Sequence, residues 1–185
     1  MRICIFGDSI TWGEGDKEIG GWADRLKVHL MERDFSVYNL GIRGDTSAGV
    51  LDRFKQEIAA RSRKLGGILF AIGINDCLQG VSVEEFQNNM RTLMELSPEF
   101  ADTTIMIGLT RTTDTSANEK IEQFNKELEV LCRERKVLFI PMFDLFATDD
   151  LTKDGLHPSP TGYKKMFERI KLVLEPLLPV MTVDQ

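Results

Sequence analysis

Two short stretches of the chain hold residue types that could work together as a proton relay. The first is Gly7-Asp8-Ser9-Ile10-Thr11, which places a hydroxyl directly after the apolar run Ile3–Phe6. A serine at the carboxyl end of a buried strand stands where open α/β sheets put their ligands. The second is Asp154-Gly155-Leu156-His157. A carboxylate three residues before an imidazole can accept one of its N–H groups and fix the tautomer, leaving the other nitrogen free to take a proton. Ser9 as nucleophile, His157 as general base and Asp154 as the group that orients the base are the set that acyl transfer requires. The same chemistry needs donors aimed at a developing oxyanion. The backbone N–H groups of Ser9 and Gly44 and the side-chain amide of Asn75 could supply them.

Each of these residues also has an ordinary structural use. Asp-Ser is a common turn or helix-cap pair, glycine makes turns, and asparagine tolerates left-handed backbone. The other histidine, His29, lies beside the apolar face of a helical segment and reads as a half-buried surface residue. What separates the chemical reading from the bland one is that the candidates come together from several places, so the elements that would gather them matter.

Five apolar runs supply those elements: Ile3–Phe6, Val37–Leu40, Ile68–Ile72, Ile105–Leu109 and Val137–Ile140. None alternates cleanly, so each reads as a strand buried on both faces, as in parallel sheets. Helical periodicity fills the intervals, marked by Trp22, Leu26 and Leu30, then by Val50, Phe54 and Ile58. Further on it is marked by Phe86, Met90 and Leu93, by Ile121, Phe124 and Leu128, and by Tyr163, Met166 and Ile170. Capping boxes are expected at Ser82–Glu85 and Ser116–Glu119, and Ser159-Pro160 should open the last helix. Strand alternating with helix predicts an α/β fold: one domain over residues 1–185, a three-layer α/β/α sandwich around a parallel five-stranded sheet, for which the flavodoxin-like order 2-1-3-4-5 is suited. Parallel strands bring the polar segments after the first, second and third strands, and the segment before the last helix, to one edge.

The 185 residues carry a net charge of −6, which argues against a nucleic-acid partner. No apolar run is long enough to span a bilayer, and no leader sequence is evident at the N-terminus, so a cytoplasmic location is expected. Cys4, Cys77 and Cys132 lack metal-type spacing and read as free thiols. No metal and no cofactor is expected. The Pro-interrupted segment Leu172–Val183 should either pack back on the domain or mediate a homo-oligomer, the first reading being preferred.

With these residues in view, the sequence resembles the SGNH hydrolases, also called GDSL-type esterases and lipases. Four blocks carry the resemblance over nearly the whole chain: Gly7 to Thr11, Asn39 to Thr46, Gly73-Ile74-Asn75-Asp76, and Asp154 to His157. It implies Ser9, Asp154 and His157 as the catalytic triad, and Ser9, Gly44 and Asn75 as the oxyanion hole, with Gly41 a weaker candidate. It also implies a small-molecule ester as substrate, short acyl esters being favoured. A thioesterase or lysophospholipase of the same family is the alternative. Arg43, beside Gly44, reads as a surface arginine in preference to a group facing an anionic part of a substrate, Cys77 could line the pocket rim, and Asp8 and Asp76 should hold loops through backbone N–H groups. A phosphoryl-transfer reading with Asp8 as nucleophile lacks the second aspartate two residues on, where Ile10 stands. A non-catalytic flavodoxin-like binding module would have no reason to gather these residues at one edge.

Overall fold

All five apolar runs form strands in the computed structural model, which describes residues 1–60 and 64–178. They are β1 (Arg2–Gly7), β2 (Ser36–Gly41), β3 (Leu65–Ala71), β4 (Ala101–Ile107) and β5 (Leu138–Ile140). All pair in parallel, in the order β2-β1-β3-β4-β5, which is the flavodoxin-like order. From its second residue onward β1 is buried throughout. Helices cover both faces, which is why the strand sequences do not alternate.

The helices are α1 (Ser9–Trp12), α2 (Gly21–Met31), α3 (Ser47–Ala59), α4 (Ile74–Gln79), α5 (Val83–Leu96), α6 (Thr115–Arg135) and α7 (Pro160–Leu174). α2 packs against α7, while α5 packs against both α3 and α6. The expected caps at Ser82 and Ser159 are present, their hydroxyls accepting from the N–H groups of Glu85 and Gly162. The expected cap at Ser116 is not. Asp114 takes that role, its carboxylate accepting from Ser116 N at 2.8 Å and Ala117 N at 3.2 Å. A carboxylate opposite the positive end of a helix outcompetes a hydroxyl two residues later. α1 and α4 have four and six residues, too short to show a helical period in sequence.

β1 lies between β2 and β3, so the connections leaving β1 and β3 depart in opposite directions. The crevice this opens at the strands' carboxyl ends is the usual ligand position in such sheets. Below it, Phe54 on α3 sits 5.3 Å from Phe6 on β1 and 5.7 Å from Phe70 on β3, ring centre to ring centre. The end of α7 and the chain after it pack back through buried Leu174 and Leu178, with His29 Nε2 2.9 Å from Glu175 Oε1. His29 is thus a half-buried partner of that segment, whose remainder, Pro179–Val183, lies outside the described residues.

Phe54 is fully buried and holds α3 onto two strands at once. Phe54→Ala should therefore cost about 3–5 kcal/mol of stability, measured by urea unfolding. A loss under about 1 kcal/mol would show that the aromatic cluster does not carry this layer.

Candidate active site

Ser9 is the first residue of α1, directly past the end of β1. Asp8 caps the helix, accepting from Ile10 N at 2.9 Å, so the nucleophile candidate is presented by a tight strand-to-helix turn. The N–H of Ser9 opens the helix and has no acceptor within it. Gly7 and the two residues that follow are buried, and Ser9 keeps 7% exposure.

His157 reaches this hydroxyl from the far end of the chain. Its Nε2 lies 2.9 Å from Ser9 Oγ, and its Nδ1 lies 2.7 Å from Asp154 Oδ2. The other Asp154 oxygen accepts from Leu156 N at 2.9 Å, His157 N at 3.0 Å and Thr152 Oγ1 at 2.8 Å. Burial opposes the charge on Asp154, but His157 and these donors outweigh it and hold the carboxyl well below its usual range. Thr152 N bonds His157 O at 2.8 Å, closing the turn on itself. Ser159 N bonds Asp150 O at 2.7 Å and sets the turn against α7. Thr113 N bonds Gly155 O at 2.9 Å, so the threonine-rich loop after β4 braces the turn from the other side.

The two remaining oxyanion candidates stand on neighbouring loops. Gly44 has φ +75°, and a Cβ placed there would meet nothing within 4 Å. Its glycine identity therefore answers to backbone conformation and not to crowding. Gly41 is the opposite case: a Cβ there would lie 2.5 Å from Trp12 N and 2.9 Å from Asp8 O, so its bareness lets α1 pack on β2. Asn75, in the first turn of α4, donates one N–H to Asp45 O at 2.8 Å. An amide nitrogen carries two, and the second remains for a ligand.

Buried carboxylates tie these loops together. Asp76 accepts from Ser47 N at 2.9 Å and from Ser47 Oγ at 2.5 Å, and Asn89 donates to the same hydroxyl at 2.9 Å. Burial raises the Asp76 carboxyl above its ordinary range, against the Ser47 bonds. Burial pushes Asp8 up to about 7, assisted by Asp45 and Asp76 and opposed by the N–H of Ile10. Both aspartates hold loops through backbone N–H groups, as expected. Arg53, which no sequence pattern singled out, pairs with Asp45 at 2.8 Å and donates to Leu40 O at 2.9 Å. It sits eight residues beyond Asp45, across a loop and two helical turns, a separation with no recognisable motif.

Two expectations are refined. Cys77 is 3% exposed, so it belongs to the packing beneath α4 and not to a rim, and burial raises its thiol. Arg43 is exposed but pairs with Glu14 and stands 5.8 Å from the ring centre of Trp12.

Similarity to known proteins extends over most of the chain. The sequence model of the GDSL-like lipase/acylhydrolase family matches residues 5–165. Esterase TesA of Pseudomonas aeruginosa is 25% identical over 96% of this chain and 90% of its own. The isoamyl acetate-hydrolyzing esterase of Saccharomyces cerevisiae is also 25% identical, over 96% of this chain and 87% of its own. The crystal structure of TesA superposes with a TM-score of 0.85, covering 96% of this chain and 100% of that one. Axe2, an acetylxylan esterase from Geobacillus stearothermophilus, shares the fold at a TM-score of 0.82 and 18% identity, with 94% of each chain covered.

The Asp8 carboxyl sets a sign for stability against pH. Its folded value of about 7 lies above the ordinary 3.8. A raised carboxyl favours the folded state below the ordinary value, and that contribution is lost as pH rises through the folded one. Melting temperature should therefore fall between pH 4 and pH 8 for this group. Asp8→Asn, which keeps an acceptor for Ile10 N, should flatten that fall in a thermal-melt series. An unchanged slope would mean that Asp8 does not titrate in this window.

Proposed function

The chain belongs to the GDSL-like lipase/acylhydrolase family and is a serine carboxylic ester hydrolase, and on that premise we propose that Ser9 is its nucleophile, His157 its general base and Asp154 the group that orients the base. The observation that carries this reading is the continuous contact from Ser9 Oγ through the imidazole to Asp154, joining residues 148 positions apart.

In the first half-reaction Ser9 Oγ attacks the ester carbonyl carbon while His157 Nε2 takes its proton. Negative charge collects on the carbonyl oxygen, met by the N–H groups of Ser9 and Gly44 and by the Asn75 amide. His157, now cationic and stabilised by the ionised Asp154, gives its proton to the departing alkoxide, leaving an acyl-serine. In the second half a water attacks the acyl carbon, again losing its proton to Nε2, and the acid leaves as Ser9 recovers its hydrogen. The low carboxyl of Asp154 suits this cycle, because the group stays charged beside each imidazolium. Cys77 takes no part: a buried, protonated thiol is a poor nucleophile.

Short acyl esters are the favoured substrates. The cavity beneath α1, bounded by Asp8, Ile10, Ile74 and Leu109, amounts to about 20 Å³ and is itself too small to hold an acyl chain. Thioesters fit the same chemistry, since the leaving thiolate needs even less help from His157.

Ser9→Ala should abolish hydrolysis of p-nitrophenyl acetate while the far-ultraviolet spectrum and melting temperature stay those of a folded protein. Equal rates in both proteins would end this assignment. Asn75→Ala should lower turnover by roughly 10²–10³ with little change in KM, as loss of a single oxyanion donor does. A change confined to KM would place Asn75 in ground-state binding instead.

A further inference from the structure

Beside the candidate catalytic residues lies a groove of about 760 Å³ along the β2 edge of the sheet. That size falls in the range of roughly 300–1,000 Å³ typical of small-molecule sites. One end of it is made from the segments that carry Ser9 and Gly44, and it abuts the base. Trp12 ends the helix that Ser9 begins, and Arg43 directly precedes Gly44. Gly15 stands against the base, so that a Cβ there would lie 4.0 Å from His157 Cβ. Its lining also includes Asp24, Lys27 and Asn39.

Its chemistry is specific. Trp12 is 53% exposed, a large indole left in solvent three residues after the nucleophile. The lining holds three acids (Glu14, Asp16, Asp24) and three bases (Lys17, Lys27, Arg43), so it has no excess of either charge. All three acids have partners: Glu14 pairs with Arg43, Asp16 with Arg25, and Asp24 accepts from Asn39 Nδ2 at 3.3 Å. The groove offers a ligand the indole of Trp12, a carboxylate held in place on Asp24, and the ammonium groups of Lys17 and Lys27. The walls are fixed in advance. Tyr163 Oη donates to Glu14 O at 2.8 Å, Asp16 accepts from Glu18 N and Gly21 N at 2.9 Å each, and Asn39 donates to Thr11 O at 2.9 Å.

We propose that this groove is the alcohol-side subsite of the ester hydrolase and that its occupant is a neutral sugar, so that the substrates are short acyl esters of carbohydrate hydroxyls. The proposal rests on Ser9 being the nucleophile. A pyranose presents C–H groups on its faces, which lie against an indole, and hydroxyls around its edge, which both donate and accept. A carboxylate and ammonium groups beside an exposed ring answer that pattern. A fatty alcohol would find too many charges here, and an anion would meet as many acids as bases.

The test separates binding from catalysis. Methyl β-D-glucopyranoside is titrated into the Ser9→Ala protein while tryptophan emission is followed. Trp22 is fully buried, so a saturable change at millimolar sugar should come from Trp12, and it should vanish in Ser9→Ala/Trp12→Phe. Kinetically, the ratio of kcat/KM for methyl 6-O-acetyl-β-D-glucopyranoside to that for ethyl acetate should exceed tenfold in the natural protein. In Trp12→Ala and in Asp24→Asn that ratio should fall at least tenfold. A ratio near one, or one that either substitution leaves unchanged, overturns the sugar subsite even with Ser9 fully active. A preference of more than tenfold for an acetylated uronate over the glucoside overturns the neutral ligand. Saturable sugar binding in a protein whose esterase activity survives Ser9→Ala would instead remove the catalytic assignment and leave the groove.

Discussion

Two carboxylates buried at the carboxyl edge of the sheet, Asp8 and Asp76, are the constraint from which the rest of this site follows. Among the described residues neither pairs with a cation; each is satisfied by N–H and O–H groups of the loops it must hold. Taking a carboxylate out of water is costly unless such donors replace it. The cost appears as raised carboxyl values, and the return is order. Asp8 sets the turn that presents Ser9. Asp76 clamps the start of α3 to α4, which fixes Asn75 relative to the loop bearing Gly44. Arg53 completes the arrangement by neutralising Asp45, the third acid of the group.

Around that anchored rim the turn from Asp154 to His157 is a self-contained device. Its hydrogen bonds are mostly internal, and it is seated by Ser159 at the head of α7 and by the loop after β4. One carboxylate there does two things, shaping the backbone with one oxygen and orienting the imidazole with the other. The pieces are preorganised, so little reorganisation is left for the moment when charge develops. Beneath α1 the core leaves only a small cavity of about 20 Å³, whereas a groove of about 760 Å³ lined by Trp12 and Arg43 runs along the β2 edge of the sheet.

Much of this was legible in the chain. Continuous apolar runs such as Ile3–Phe6 declared buried parallel strands, because a strand covered on both faces cannot alternate. The four polar blocks named Ser9, Gly44, Asn75, Asp154 and His157 because each follows a strand or precedes a helix, positions fixed by local rules. Where local rules compete the reading slipped, as with Ser116, whose cap was taken by Asp114. Short elements such as α1 and α4 were invisible, being less than two turns long. The bareness of Gly41 and Gly44 looked alike in sequence and has different causes in space.

Residue order alone therefore determined the layers of the fold and the set of candidate site residues, since both follow from hydrophobic period and turn chemistry over a few neighbours. Only the tertiary structure decided that the Ser9 hydroxyl and the His157 imidazole stand 2.9 Å apart, that Arg53 serves Asp45, and that Trp12 overlooks a groove. Those are relations between segments distant along the chain. They are set by strand order and by how helices seat on the sheet, and no local pattern of residue types encodes a distance across it.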